Sequence, residues 1–126
     1  MISSSNAELR SKVAELFIVR ASGHPFDSQR EYPAWELNNR ELKRLLEEGV
    51  GGVIFYGGTA QELQYRCHQL QQYTNTQLLF CADVEEGLGQ RFQGGTWFIP
   101  PMGIAQIFQV DPEKAVRLAK EYGRLT

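Results

Sequence analysis

No apolar run in this sequence approaches the roughly 20 residues that a membrane-crossing helix needs, so no membrane association is expected. Nor is there an excess of charge of either sign: 13 Lys+Arg against 15 Asp+Glu leave a net charge of -2. Without a basic surplus or a basic run there is little to neutralise phosphates, which argues against nucleic acid or an anionic membrane surface as partner. Cysteine is scarce. Cys67 and Cys81 form no C-x-x-C pair and read as reduced, partly buried thiols. The two histidines, His24 and His68, have no Cys or His partners at zinc-ligand spacing, and no D-x-D-x-D-G loop is present. Neither a metal nor another cofactor is therefore expected. The first six residues show neither a basic start nor an apolar segment, so the expectation is a chain without a secretory signal, located in the cytoplasm.

The chain does have a globular composition, 42% hydrophobic and 22% charged over 126 residues, enough for one ordinary domain. No Pro/Ser-rich linker or low-complexity segment divides it, so residues 1–126 are read as one piece. Helical and strand-like segments alternate. Ser5-Asn6-Ala7-Glu8 has the form of a capping box, followed by an apolar stripe at Leu9, Val13, Leu16 and Phe17. Residues 17–21 read as a buried first strand, and a polar loop covers about residues 22–36. Leu42, Leu45 and Leu46 form a helical face, with Gly49 where a helix end favours positive φ. Gly51 to Tyr56 reads as a second strand, and Gly57-Gly58 ends it. Thr59-Ala60-Gln61-Glu62 is another capping box, ahead of a helix carrying Leu63, Cys67, Leu70 and Tyr73. Leu78 to Ala82 is a third short apolar run. Asp111-Pro112 signals a last helix with Ala115, Leu118, Ala119 and Tyr122 on its buried side and Gly123 at its end.

Strands near residues 17, 52 and 78, joined by helices, are βαβ units. Such crossovers make the strands parallel and are right-handed in nearly all cases. The expected class is α/β, with three parallel strands apolar enough to be covered on both faces.

Chemistry in parallel α/β folds gathers at the carboxyl ends of the strands. Three segments lie there: Arg20 to His24, Tyr56 to Thr59, and Asp83 to Phe92. The third is the most informative. Asp83 directly follows a buried strand, and its loop is glycine-rich with further carboxylates and Arg91. A carboxylate accepts from two hydroxyls and a guanidinium donates in a fork, so Asp83 and Arg91 together suit a polyol. A salt-bridged loop anchor accounts for the same pair equally well. Gly87-x-Gly89 lacks the Lys-Ser/Thr of a phosphate loop, which disfavours a nucleotide-binding protein. His24 is a candidate pocket residue, and His68 falls on the surface of its helix. Gly95 to Met102 reads as a lid, a sugar platform, or a loop packing its own apolar groups.

Asp83-Val84-Glu85-Glu86-Gly87-Leu88-Gly89-Gln90-Arg91-Phe92 resembles the D-x-E-G-G-x-x-x-R-F signature of glycoside hydrolase family 3, and most of all its bacterial β-N-acetylglucosaminidase branch. Leu9 to Val19 is similar to the opening helix and first strand of that family. Gly49 to Phe55 is similar to its second strand, and Pro100-Pro101-Met102 follows the motif as in the family. The resemblance implies a (β/α)8 (TIM) barrel of which this chain supplies roughly the first three βα units, since a complete one takes about 250 residues. It implies a retaining exo-glycosidase with a carbohydrate substrate, a terminal β-linked N-acetylglucosamine or glucose. Asp83 then bonds sugar hydroxyls and Arg91 helps to hold the sugar. Glu86 and Leu88 depart from the signature, where a Gly and a basic residue are common. The branch's K-H-F-P-G-H-G loop with its acid/base histidine is absent from these residues, as is a late strand bearing the nucleophilic aspartate. The expectation is an N-terminal fragment that is inactive alone, with uncovered barrel edges open to self-association. The alternative is a non-enzymatic α/β remnant that binds sugar or assembles with a partner chain.

Overall fold

The computed structural model describes residues 4–125, with side chains from Asn6 onward. Contacts divide the chain into two compact units, Met1–Ala82 and Asp83–Thr126. The first holds α1 (Ser4–Ala14), β1 (Ile18–Ser22), α2 (Asn39–Glu47), β2 (Gly52–Tyr56), α3 (Ala60–Gln71) and β3 (Leu79–Ala82). The second holds α4 (Pro101–Val110) and α5 (Pro112–Leu125) after a long loop.

The class is α/β as expected: β1, β2 and β3 form one parallel sheet in that order. Val19 pairs with Val53, and Val53 with Phe80. Residues alternate between faces along each strand, so Val19, Ala21, Val53, Phe55 and Phe80 share one side. Ala21, Val53 and Phe55 are buried there, and the rings of Phe55 and Phe80 stack at 5.6 Å. Leu42 and Leu46 from α2 and Leu70 from α3 complete this core. The opposite face carries Arg20, Ile54, Tyr56 and Cys81, all only half-buried. Strands apolar throughout had suggested cover on both faces, and within this unit only one is fully covered.

Caps set the helix starts. Asn38 accepts from the backbone of Glu41, and Glu41 reaches back, which fixes the start of α2. Thr59 and Glu62 form the expected box ahead of α3, and Asp111 accepts from the Lys114 amide at 2.9 Å to cap α5. The box expected at Ser5 rests on a side chain outside the described residues. Glu8 itself pairs with Lys12 at 2.8 Å. Gly49 has the expected positive φ of 96°.

Three expectations need correction. The stripe Leu9, Val13, Leu16, Phe17 is exposed, and α1 ends at Ala14, so the last two residues lie beyond the helix. Tyr73 falls outside α3; its ring instead takes Lys43 at 5.5 Å. Gly123 does not end α5, which runs to Leu125, since a glycine near a frayed end costs only about 1 kcal/mol against alanine.

The buried face of α3 carries a charge as well as Leu70. Arg66 is buried, and its guanidinium donates to the Ser22 carbonyl at 3.4 Å, Asn39 Oδ1 at 2.8 Å and Gln69 Oε1 at 2.7 Å. It thereby ties the end of β1 to the first turn of α2. Burial lowers its pKa, with Asp27 the foremost opposing charge. Arg66→Leu removes those bonds while adding apolar surface. Each acceptor left dry costs about 1–3 kcal/mol, so denaturant unfolding should show a loss of at least about 2 kcal/mol. His68→Leu on the exposed side of the same helix should stay within about 0.5 kcal/mol. Equal effects would refute the role given to Arg66.

Candidate functional site

Two clusters of polar side chains stand at strand ends, one in each unit. In the second unit the loop after β3 is held by its own bonds. Gln90 Oε1 accepts from the amides of Glu85 and Glu86 at 2.6 and 3.1 Å. Phe98 N donates to the Glu86 carbonyl at 2.6 Å, and Gly89 N to that of Thr96 at 2.9 Å. Gly87 has a φ of 81°, and a methyl there would press on the Thr96 carbonyl at 2.6 Å, so only glycine suits both its conformation and its surroundings. Trp97 Nε1 donates to Glu86 Oε2 at 2.8 Å. The Tyr122 hydroxyl donates to the Glu85 carbonyl at 2.7 Å, and its ring lies 5.6 Å from Phe98. Residues 95–99 are thus one wall of the same loop, whereas Pro101 and Met102 begin α4.

This scaffold brings the two predicted site residues together. Arg91 Nε donates to the Asp83 backbone carbonyl at 2.8 Å. The guanidinium meets the Asp83 carboxylate only at 3.9 Å, too long for a hydrogen bond. Asp83 is 50% exposed and Arg91 24%. One backbone bond thus holds the arginine, and the Asp83 side chain stays half exposed, with its oxygens able to act as acceptors. That is the arrangement a polyol needs.

The first unit carries a cluster that sequence reasoning found only as a lone histidine. His24 follows β1, its backbone bonded to Ser22 Oγ at 3.2 Å. Gly23 lies against the Gly57 carbonyl so closely that no β-carbon fits. His24 Nδ1 contacts Glu62 Oε1 at 3.1 Å, while Glu62 Oε2 accepts from the Thr59 amide at 2.8 Å. The Thr59 N–H, followed by His24, holds the Glu62 carboxyl at about 2, below the ordinary 4.5. An ionised carboxylate only accepts, so Nδ1 is the nitrogen that bears hydrogen, and Nε2 lies on the side of Gly57. The signal for this pair lay in the capping box itself: the glutamate that caps a helix opening at a strand end is within reach of neighbouring strand ends.

Among the described residues no group of three His, Cys, Asp or Glu side chains is arranged to hold a metal ion. No helix there is long and apolar enough to cross a membrane. Cys67 and Cys81 are free and half-buried, and burial raises the Cys67 pKa.

The comparison with known proteins agrees with the motif. The family model described as the Glycosyl hydrolase family 3 N terminal domain matches residues 8–126. The chain belongs to this family. It is 37% identical over 93 residues to a beta-hexosaminidase of Tolumonas auensis, a match covering 71% of this chain and 27% of that protein. A beta-hexosaminidase of Xylella fastidiosa is 32% identical over 94 residues, 71% of this chain and 28% of that protein. The family 3 chain thus spans a little over a quarter of the length of these curated relatives.

Because the Glu62 pKa is depressed, its contribution to stability is present above the unfolded value near 4.5 and is lost as pH falls through about 2. Melting temperatures of wild type and Glu62→Gln should therefore differ at pH 6 and converge toward pH 2. A gap that stays constant over that range would show that the charge on Glu62 contributes nothing.

Proposed function

We propose that the chain is the N-terminal part of the (β/α)8 catalytic barrel of a retaining exo-glycosidase. Its substrate is a terminal, non-reducing β-linked N-acetylglucosamine or glucose. The observation that carries this reading is the placement of Asp83 at the end of β3, with Arg91 fixed on its carbonyl and the carboxylate left solvent-facing. The family membership and the beta-hexosaminidase relatives supply the substrate class. The single-sided core of the first unit suits a segment of barrel wall, in which outer side chains pack on helices and inner ones await further strands.

In this proposal Asp83 accepts hydrogen bonds from hydroxyls of the sugar at the non-reducing end, and Arg91 donates to the same ring. Both orient the anomeric carbon. The two carboxyl- or imidazole-bearing groups that retention requires, a nucleophile and an acid/base, come from barrel units other than these. The chain alone is inactive, acts on no nucleic acid or membrane, needs no cofactor for this role, and belongs in the cytoplasm.

In the complete enzyme Asp83→Ala should lower kcat/KM about five- to 150-fold, the equivalent of about 1–3 kcal/mol of lost hydrogen bonding. A loss below about threefold would remove Asp83 from the sugar site. The isolated 126-residue chain should release no nitrophenol from p-nitrophenyl N-acetyl-β-glucosaminide.

A second reading is a non-enzymatic α/β piece that binds sugar or assembles with another chain. The exposed Phe17, Ile18 and Leu79 at the sheet margins favour it, because uncovered apolar strand edges invite pairing. In size-exclusion chromatography a defined oligomer of the isolated chain would support this assembly, and a stable monomer would count against it.

A further inference from the structure

The glycosidase reading leaves unused the residues between β1 and α2. They bring an exposed aromatic surface and two polar side chains to the ends of β1 and β2. Trp35 is 70% exposed, yet it is not loose. Its ring lies 5.6 Å from the Arg20 guanidinium, which also lies 5.1 Å from the Tyr56 ring. Tyr32, likewise exposed, packs edge-on against Tyr56 at 6.5 Å. Beneath them Glu36 is buried, with Oε2 accepting from the Tyr32 amide at 3.1 Å and Oε1 lacking any hydrogen-bond partner. A segment that spends a buried carboxylate and a cation–π contact to hold aromatic rings outward is built to present them.

The polar side of the same strip is Glu31 and His24. A methyl on Gly57 would meet Glu31 Oε1 at 3.2 Å and His24 Nε2 at 3.3 Å. The two side chains therefore close over the bare backbone of one residue, which has a φ of 69° and adjoins Tyr56. Glu62 fixes the imidazole through Nδ1, so Nε2 is the nitrogen presented beside the carboxylate. The His24 side chain is 11% exposed, so the ring is held in place with only its margin open to solvent.

We propose that this strip is a carbohydrate-contact surface of the first unit. Trp35 stacks on the apolar C–H face of a pyranose ring, and Glu31 with His24 Nε2 takes the hydroxyls at the ring's edge. The Glu31 carboxylate repels phosphate and accepts hydroxyl hydrogens, which selects a neutral polyol over an anion. The choice of a sugar rests on the glycosidase reading; the place and the residues rest on the geometry of this unit.

The chain's two tryptophans fall one in each unit, which allows a direct test with the full 126-residue chain. In Trp97→Phe, emission reports Trp35 alone; in Trp35→Phe, it reports Trp97 beside the Asp83 loop. Titration with N,N'-diacetylchitobiose and with cellobiose should change Trp35 emission saturably. Glu31→Gln and His24→Gln should each weaken that response about tenfold or more, with unchanged far-UV circular dichroism. Should a variant fail to fold, the imidazole nitrogen resonances of His24 in the unsubstituted chain serve instead: sugar should shift Nε2 and leave the exposed His68 unmoved. A response at Trp97 with none at Trp35 or His24 would overturn this proposal and leave the glycosidase reading standing. Silence at both tryptophans and at His24 would overturn it as well. So would a Trp35 response indifferent to Glu31 and His24.

Discussion

A buried guanidinium organises the first unit. Arg66 projects from α3 into a region where the carbonyl that ends β1 and the amide side chain that opens α2 both need donors, and it serves both. Taking a charge out of water is expensive unless its donors are spent on well-placed acceptors. Here that condition fixes three elements at once. Asn39 is itself held, with its amide on Asp27 Oδ1 at 2.9 Å and its side chain on the Pro25 carbonyl at 2.9 Å. The loop carrying His24, Glu31 and Trp35 is thus anchored at both ends by bonds that lead back to one arginine. A loop of this length without such anchors would hold no side chain in place.

The same logic of backbone anchoring recurs beyond β3. Arg91 donates to a carbonyl, and the neighbouring carboxylate, 3.9 Å from it, stays half exposed. A direct Asp83–Arg91 hydrogen bond would have satisfied each group with the other and left less for a ligand. Glu62 shows the contrasting case: both its oxygens are used internally, one on the Thr59 amide and one on His24. Its place is structural, and the consequence of its bonds is felt at the second nitrogen of the histidine. Whether a strand-end acid binds or supports is decided by where its acceptors point, and sequence position alone does not reveal that.

This explains what was legible in the chain. The three strands and their parallel order followed from short apolar runs spaced by helical patterns, and β1, β2 and β3 begin within about a residue of where those runs begin. Asp83 and Arg91 were legible because a motif specifies residue types at fixed offsets. Arg66 was not, because a charged residue in an amphipathic helix ordinarily faces water; only its place between Leu63 and Leu70 on one face betrays it. Helix α4 was also missed. Pro100-Pro101 marks its start, but the loop reading of Gly95 to Met102 covers that start and residues 103–110 are assigned to no element, and Ile104 and Ile107 are only half-buried. The aromatic strip escaped for a different reason. Arg20, Tyr32, Trp35 and Tyr56 are scattered along the chain and meet only when β1 and β2 lie in register, Ser22 beside Tyr56.

That register also bears on why the half-buried face of the sheet carries a charge. A small sheet standing alone gains most by placing apolar groups on both sides, yet Arg20 sits mid-strand opposite Ile54, held by rings and not by an acid. Burying such a cation deeper would cost several kcal/mol, whereas a partly wet, aromatic-lined cavity tolerates it. The face that carries Arg20, Ile54, Tyr56 and Cys81 is therefore left partly wet, while the face with Val53 and Phe55 packs a dry core.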